Sequence, residues 1–145
     1  MHSGVMNLGN LVPPVDLARA DTVALVIIDM QYHDASPDRG VTAALERVSP
    51  GSMAYYADRL NLTTVPAIER LLKAFRERGL TVIHLVLGSD YQDLRDCPPR
   101  FREWTRNLER AIMLEDVWWS GNPDFDIIGP LAPLPEETVV QKTTN

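Results

Sequence analysis

The fold is decided by one stretch of the sequence, LVIIDMQ at residues 25–31. With the two residues before it, this stretch gives six consecutive apolar side chains, at residues 23–28, with no polar alternation. Such a run predicts a strand that is covered on both faces, as in the parallel sheets of α/β proteins. The polar Asp29 follows at the carboxyl end of the strand, which is where open parallel sheets place their ligands and their chemistry.

The next clear element is a helix that begins near Val65. Thr63 or Thr64 is expected to cap it, Pro66 lies in its first turn, and Gly79 ends it. Its predicted apolar stripe consists of Val65, Ile68, Leu71, Leu72 and Phe75. The segment before this helix, residues 33–52, is predicted to be rich in loops, with one helical turn at residues 43–48.

Two further strands flank a second helix. Residues 80–87 and 138–141 are the predicted strands, and the helix between them starts at Pro98 and Pro99. Phe101, Trp104, Leu108 and Ile112 are expected to face inward, whereas Arg100, Arg102, Arg106 and Arg110 are expected to face water. Strands and helices that alternate in this order predict right-handed crossovers and a Rossmann-like, three-layer α/β/α fold with a parallel sheet.

The number of strands bears on the domain organisation. Residues 1–21 are predicted to form an N-terminal arm, and residues 22–145 to form the N-terminal half of a single domain. Three parallel strands leave long unpaired edges, which proteins normally pair or cover. We therefore expect a C-terminal segment outside this chain to complete the fold. The arm and the exposed edges also favour a homo-oligomer.

The composition excludes several classes of function. A net charge of −6 offers nucleic acid no broad basic face. The single cysteine, Cys97, excludes an internal disulfide framework and is typical of a reducing compartment. No apolar run approaches the roughly 20 residues of a membrane span, and no signal peptide is evident. The sequence therefore predicts a cytoplasmic protein that binds neither nucleic acid nor membrane.

Three motifs, in this order and spacing, resemble those of the isochorismatase-like cysteine hydrolases. They are the hydrophobic strand ending in Asp-Met-Gln, the helix sequence RLLKAFRERG at residues 70–79, and LAPLPEETVVQK at residues 131–142. The resemblance extends from Thr22 to Asn145. It implies a fold of the isochorismatase-like type.

The resemblance also implies a catalytic triad of Asp, Lys and Cys. Asp29 and Lys142 match the first two positions, as general base and as electrostatic stabiliser of a thiolate. The family's cysteine follows the lysine on a later strand-to-helix turn, so it is expected on the companion segment. The implied reaction is hydrolysis of a small amide or related C–N bond through a covalent acyl-enzyme, without a cofactor.

Each candidate residue also has a purely structural interpretation. An Asp after a buried strand is often a turn former, and an isolated Lys at a strand end is often merely solvated. Residues proposed to bind the small-molecule substrate are Gln31, Tyr32, His33, Tyr91, Trp118 and Trp119. For Gln31 the alternative is to order the loop, and for the aromatic side chains it is packing.

Cys97 and metal ligands are less favoured candidates. Cys97 follows Asp96, whose charge disfavours the thiolate. The zinc-dependent nicotinamidases, which are relatives of this family, carry an Asp and two His after the second strand. The corresponding residues 88–93 here contain no His, which argues against a metal and against nicotinamide as substrate.

Several alternatives stay open at this point. A chain that stops at Asn145 is explained by a fragment, by a protease nick, or by self-cleavage that leaves Asn145 at the new terminus. A catalytically inactive binding or scaffold subunit is the runner-up function. An isochorismatase, which cleaves a vinyl ether rather than an amide, is the third.

Overall fold

The computed structural model describes Arg19 and residues 22–144. The predicted N-terminal arm, apart from Arg19, and the cleavage position Asn145 lie outside the described residues. The three strands are β1 (Ala24–Ile28), β2 (Thr81–Leu87) and β3 (Thr138–Lys142). The α-helices are α1 (Tyr32–Ala35), α2 (Gly40–Val48), α3 (Ala54–Arg59), α4 (Val65–Glu77) and α5 (Pro99–Ile112). A π-helical turn (Leu60–Thr64) joins α3 to α4, and short 3₁₀ turns lie at Pro123–Phe125 and Gly129–Leu131.

All three strands are parallel and lie in the order β1-β2-β3. Val26 is opposite Ile83, and Ile83 is opposite Thr138, so the carboxyl ends of the strands meet at one edge of the sheet. The predicted α/β fold with a parallel sheet is confirmed.

Helix α4 covers one face of this sheet. Its Leu72 is 2% exposed and belongs to a buried cluster with Ile27 of β1 and Val82 of β2. Phe75 packs against the same cluster, as the apolar stripe predicts. Leu71 was expected in that stripe but is 50% exposed, so the stripe is narrower than predicted.

The opposite face of the sheet is apolar and open to solvent. Val26 and Ile28 of β1 are 44% and 54% exposed, and Val140 of β3 is 44% exposed. Alternation explains the difference, because Ile27, which points to the other face, is 4% exposed. The structure therefore presents a continuous strip of β-branched side chains, which we call the open face.

A second cluster lies beyond the carboxyl end of β2. Helices α2 and α5 enclose Leu94, Ile112 and Trp118, all nearly inaccessible to solvent. Trp104 of α5 was expected to face inward but is 51% exposed, so that prediction was wrong.

Two details of the helices differ from the sequence predictions. Residues 33–52 contain most of α1 and all of α2, and are therefore more helical than expected. Thr64 is itself helical and makes no capping hydrogen bond, because α3 and the π-helical turn continue directly into α4. Among the helices described, none has both the length and the apolar character needed to cross a bilayer.

Candidate active site

Asp29 and Lys142 meet at the carboxyl edge of the sheet. Asp29 follows β1 and Lys142 ends β3, and β2 lies between these two strands. Even so, the Nζ of Lys142 lies 2.9 Å from Oδ2 of Asp29, and both side chains are about one quarter exposed. A parallel sheet makes this possible because it brings residues that are 113 positions apart to the same edge.

The backbone at Asp29 is held in a conformation that is unusual for a residue with a Cβ. Its φ is +55°, and its N–H donates a 2.9 Å hydrogen bond to the carbonyl of Leu85. Such strain persists only where the surroundings impose it, and it is concentrated at functional sites. Oδ1 of Asp29 is buried and accepts no hydrogen bond from the described residues. The carboxylate thus has one oxygen paired with an ammonium and one with unused acceptor capacity.

Gly88 allows the loop that contains Trp118 and Phe125 to approach the end of β2. Its N–H donates a 3.0 Å hydrogen bond to the carbonyl of Lys142, which fixes the end of β3. A Cβ at residue 88 would lie 2.5 Å from Cε2 of Phe125 and even closer to the carbonyl oxygen of Trp118. Glycine is therefore required here because of a close approach of other atoms as well as a positive φ.

Gln31 joins three segments around the site. Its Oε1 accepts a 2.7 Å hydrogen bond from the N–H of Leu87, and its Nε2 donates one of 2.7 Å to the carbonyl of Phe125. The side chain is completely buried. This amide therefore holds the ends of β1 and β2 and the loop at residue 125 together, and its contact with substrate stays a prediction.

The other residues predicted to bind substrate divide into an interior group and a surface group. His33 and Trp118 are buried, with ring centroids 5.7 Å apart. Nδ1 of His33 lies 3.1 Å from Oδ2 of Asp34. Tyr32 is half-buried, and its hydroxyl accepts a 3.0 Å hydrogen bond from the N–H of Gly129. Direct substrate contact by these residues stays a prediction.

Tyr91 and Trp119 line an open cleft of about 590 Å³. The guanidinium of Arg95 lies 3.7 Å from the centroid of the Tyr91 ring, in cation–π geometry. Asp90, also in the cleft wall, accepts a 3.0 Å hydrogen bond from Nε2 of Gln141. Gln141 precedes Lys142 in β3, and substrate binding by the two aromatic residues stays a prediction.

The comparison with protein families agrees with this architecture. A model described as an isochorismatase domain matches residues 23–145. The chain belongs to the isochorismatase family. The match contains all three strands and the Asp29–Lys142 pair.

Solved structures of isochorismatase-family proteins have the same fold. An isochorismatase family protein from Desulfovibrio vulgaris subsp. vulgaris str. Hildenborough is 27% identical, with a TM-score of 0.51, over 83% of this chain and 52% of its own. A cysteine hydrolase from Pseudomonas syringae pv. phaseolicola 1448A is 23% identical, with a TM-score of 0.62, over 91% of this chain and 50% of its own. The chain therefore spans about half the length of these two proteins.

Cys97 does not have the environment of a reactive thiol. Its side chain is 4% exposed, and its Sγ lies 3.7 Å from Oδ1 of Asp96. Burial, together with the charge of Asp96, raises the pKa of the Cys97 thiol to about 11. The thiol is protonated at neutral pH, which supports the interpretation of Cys97 as an incidental cysteine.

Within residues 22–144 there is no group of three His, Cys, Asp or Glu side chains arranged to hold a metal ion. His84 contacts Glu137 through Nε2 at 3.0 Å, on the buried side of β2. This contact gives His84 a structural role, as predicted for an isolated histidine.

Sequence reasoning missed a second hollow near the site. Phe101, Trp104 and Thr144 line it, although both aromatic residues were expected to face the core. The sequence contains no signal for it, because positions 101, 104 and 108 have the spacing of an ordinary buried stripe.

Proposed function

We propose that this chain supplies the acid–base part of a cysteine-dependent hydrolase that cleaves a small amide or related C–N bond. One observation carries the proposal. A strained Asp29, with one oxygen 2.9 Å from the Lys142 ammonium and the other buried without a hydrogen-bond partner among the described residues, lies at the carboxyl edge of a parallel sheet. A carboxylate with unused acceptor capacity beside a fixed positive charge suits removal of a proton from a thiol.

The proposed reaction has two halves. The thiol transfers its proton to Oδ1 of Asp29, and the resulting thiolate forms a C–S bond with the amide carbonyl carbon while the C–N bond breaks. Asp29 returns the proton to the departing nitrogen. Water then loses a proton to Asp29 and attacks the thioester, the C–S bond breaks, and that proton returns to the sulfur. The products are a carboxylic acid, an amine and the regenerated thiol.

Lys142 has an electrostatic role in this scheme. Its ammonium stabilises the negative charge that moves between the Asp29 carboxylate and the sulfur. The 2.9 Å contact with Oδ2 also fixes the carboxylate, so that Oδ1 is the oxygen presented to the thiol. Positioning of this kind can contribute several powers of ten to a rate.

We further propose that a companion segment supplies the thiol. Cys97 is the only cysteine of the chain, and its raised pKa argues against it as the nucleophile. The open face at Val26, Ile28 and Val140 offers apolar area to such a segment, and β1 is an edge strand of the sheet that the described residues form. The same segment would provide the N–H donors for the oxyanion.

Two substitutions test the proposal in the protein that carries the companion segment. Asp29→Asn and Lys142→Ala should each lower kcat/KM for small amides by roughly 10²–10⁴-fold, the range for general acid–base groups. Asp58→Asn and Lys73→Ala are the matched controls, because these residues lie exposed on α3 and α4. The controls should retain native rates.

The same experiment separates the proposal from its alternatives. Mass spectrometry of native protein mixed with substrate should reveal a cysteine carrying the acyl group. Turnover of vinyl ethers without turnover of amides would contradict the amide-cleaving reaction, and absence of turnover on both would favour a binding or scaffold subunit.

A further inference from the structure

We infer that the hollow between α5 and the end of β3 is a subsite for the flat aromatic ring of an amide substrate. This inference deepens the proposed function and rests on it. The hollow, which we call the ring subsite, has a volume of about 460 Å³. It is lined by Pro98, Arg100, Phe101, Trp104 and Thr144. Its walls are mainly apolar, as in small-molecule sites in general.

Trp104 is the main wall of the ring subsite, and its indole is fixed from behind. The ring lies 5.6 Å from Trp118 and 6.0 Å from Phe101, measured between centroids. Trp118 is itself buried to 98% by its neighbours, so it acts as a rigid support. Trp104 nevertheless has 51% of its surface exposed, and it lines the hollow. An aromatic face that is held rigid but left open is suited to stack on another flat ring.

The ring subsite adjoins the end of β3, which carries Lys142 of the proposed reaction centre. Thr144, which forms part of its wall, follows Lys142 by only two residues. Because two residues span at most about 7 Å of chain, the wall at Thr144 lies close to the end of β3 that carries Lys142.

The charge at the rim restricts the kind of ring. Arg100 lines the hollow and has no ion-pair partner in the part of the chain that the structure describes. Its guanidinium attracts an anionic substituent and repels a cationic one. The ring subsite therefore takes a neutral or anionic aromatic ring.

The test uses the protein with its companion segment and two amides, phenylacetamide and acetamide. In the native protein phenylacetamide should have the higher kcat/KM. Trp104→Ala should reduce this preference about tenfold, whereas Trp104→Phe should keep most of it. Tyr55→Ala is the matched control, because Tyr55 is 78% exposed on α3, outside the hollow. An unchanged preference in Trp104→Ala would overturn the inference and leave the proposed function intact.

Binding of phenylacetate, measured by isothermal titration calorimetry, keeps the two proposals separate. If neither amide is hydrolysed but phenylacetate binds and Trp104→Ala weakens it, the ring subsite stands and the proposed function fails. If Trp104→Ala does not fold, the surface variant Arg100→Gln decides. It should weaken phenylacetate about threefold, whereas unchanged phenylacetate affinity would overturn the inference.

Discussion

Residue 29 has a backbone conformation that favours glycine, but the residue there is an aspartate. The φ of +55° directs the Asp29 side chain to the Lys142 ammonium, while the N–H still bonds to β2. Strain and an unpartnered buried oxygen both reduce stability. Because Asp29 combines backbone strain with an unpartnered buried oxygen, a role in the reaction explains this residue better than a role in stability.

Residues 29 and 142 also show what sequence can predict about a site. Their meeting follows from parallel strands, because both residues end apolar runs whose carboxyl ends share an edge. The roles of Gln31 and His33 could not be predicted in the same way. Their burial depends on the loop at residues 118–125, which folds back over β1 and β2 and has no periodic pattern of its own.

Gln31 provides a prediction about stability. Gln31→Ala leaves the N–H of Leu87 and the carbonyl of Phe125 without their partner. Each buried backbone group that loses its hydrogen bond costs roughly 1–3 kcal/mol, so the free energy of unfolding should fall by at least that amount. Urea denaturation measures the change. Asn61→Ala, at an exposed amide on the π-helical turn, should shift it by less than about 0.5 kcal/mol. Equal shifts would contradict the proposed bracing role.

At the scale of elements, one carboxylate connects α4, β2 and the segment before β3. Glu137 accepts a 2.7 Å hydrogen bond from Nε of Arg76 and lies 3.0 Å from Nε2 of His84. The hydrogen bond from Arg76, followed by those from the Leu134 N–H and His84, lowers the pKa of Glu137 from its usual 4.5 to about 2. This network is on the buried side of the sheet, next to α4.

The lowered pKa of Glu137 predicts a pH dependence of stability. A carboxyl group with a depressed folded-state pKa stabilises the protein above pH 4.5, and this contribution disappears as the pH falls from 4.5 toward 2. The difference in unfolding free energy between the native protein and Glu137→Gln should therefore be about 3 kcal/mol at pH 7. It should approach zero near pH 2. A difference that does not change with pH would contradict this role of the ionised carboxylate.

A second prediction at the scale of elements concerns Gly88, where β2 meets the loops that follow it. Gly88→Ala places a methyl group against Phe125 and the carbonyl of Trp118, and should lower the melting temperature strongly. Gly51→Ala is the matched control, since Gly51 also has a positive φ but no atom within 4 Å of the added Cβ. Thermal denaturation followed by circular dichroism should show a large decrease in melting temperature for Gly88→Ala and a small one for Gly51→Ala. Comparable effects would mean that φ alone, and not the close approach, requires glycine at residue 88.

Element boundaries were predictable where a period was strong. The strands and α4 follow their apolar patterns, with boundaries that differ from the predictions by one or two residues. The predicted cap at Thr64 is not formed. A π-helical turn joins α3 to α4, so no helix starts there for Thr64 to cap. The prediction that Trp104 is buried was wrong for another reason. A stripe of 3.6-residue period identifies a helix face, but not whether protein or solvent covers each part of it.

For the whole molecule, the open face is the main departure from an ordinary domain. Ile28 and its neighbours leave β-branched side chains in water, although the unbroken apolar run of β1 predicts cover on both sides. The sequence predicted unpaired edges of the sheet from the number of strands, and it did not predict an uncovered face. It could not predict which face is left open, since that depends on where α4 and α5 pack.

A substitution on the open face tests whether a companion segment covers it. In the protein with that segment, Ile28→Asp should lower the unfolding free energy by several kcal/mol, because it buries an unpaired charge. Leu62→Asp is the matched control, since Leu62 is 76% exposed on the π-helical turn and should change stability by less than about 0.5 kcal/mol. Chemical denaturation compares the two variants. Equally small effects would indicate that the open face stays in water.

The most direct test of the central claim is to identify which thiol reacts. The protein with its companion segment is treated with iodoacetamide at pH 7, and labelled peptides are mapped while activity is followed. We predict that activity is lost as one cysteine outside residues 1–145 is alkylated, with Cys97 unlabelled, and that Asp29→Asn slows this alkylation. Loss of activity with the label on Cys97, or full activity after alkylation of every other cysteine, would contradict the account.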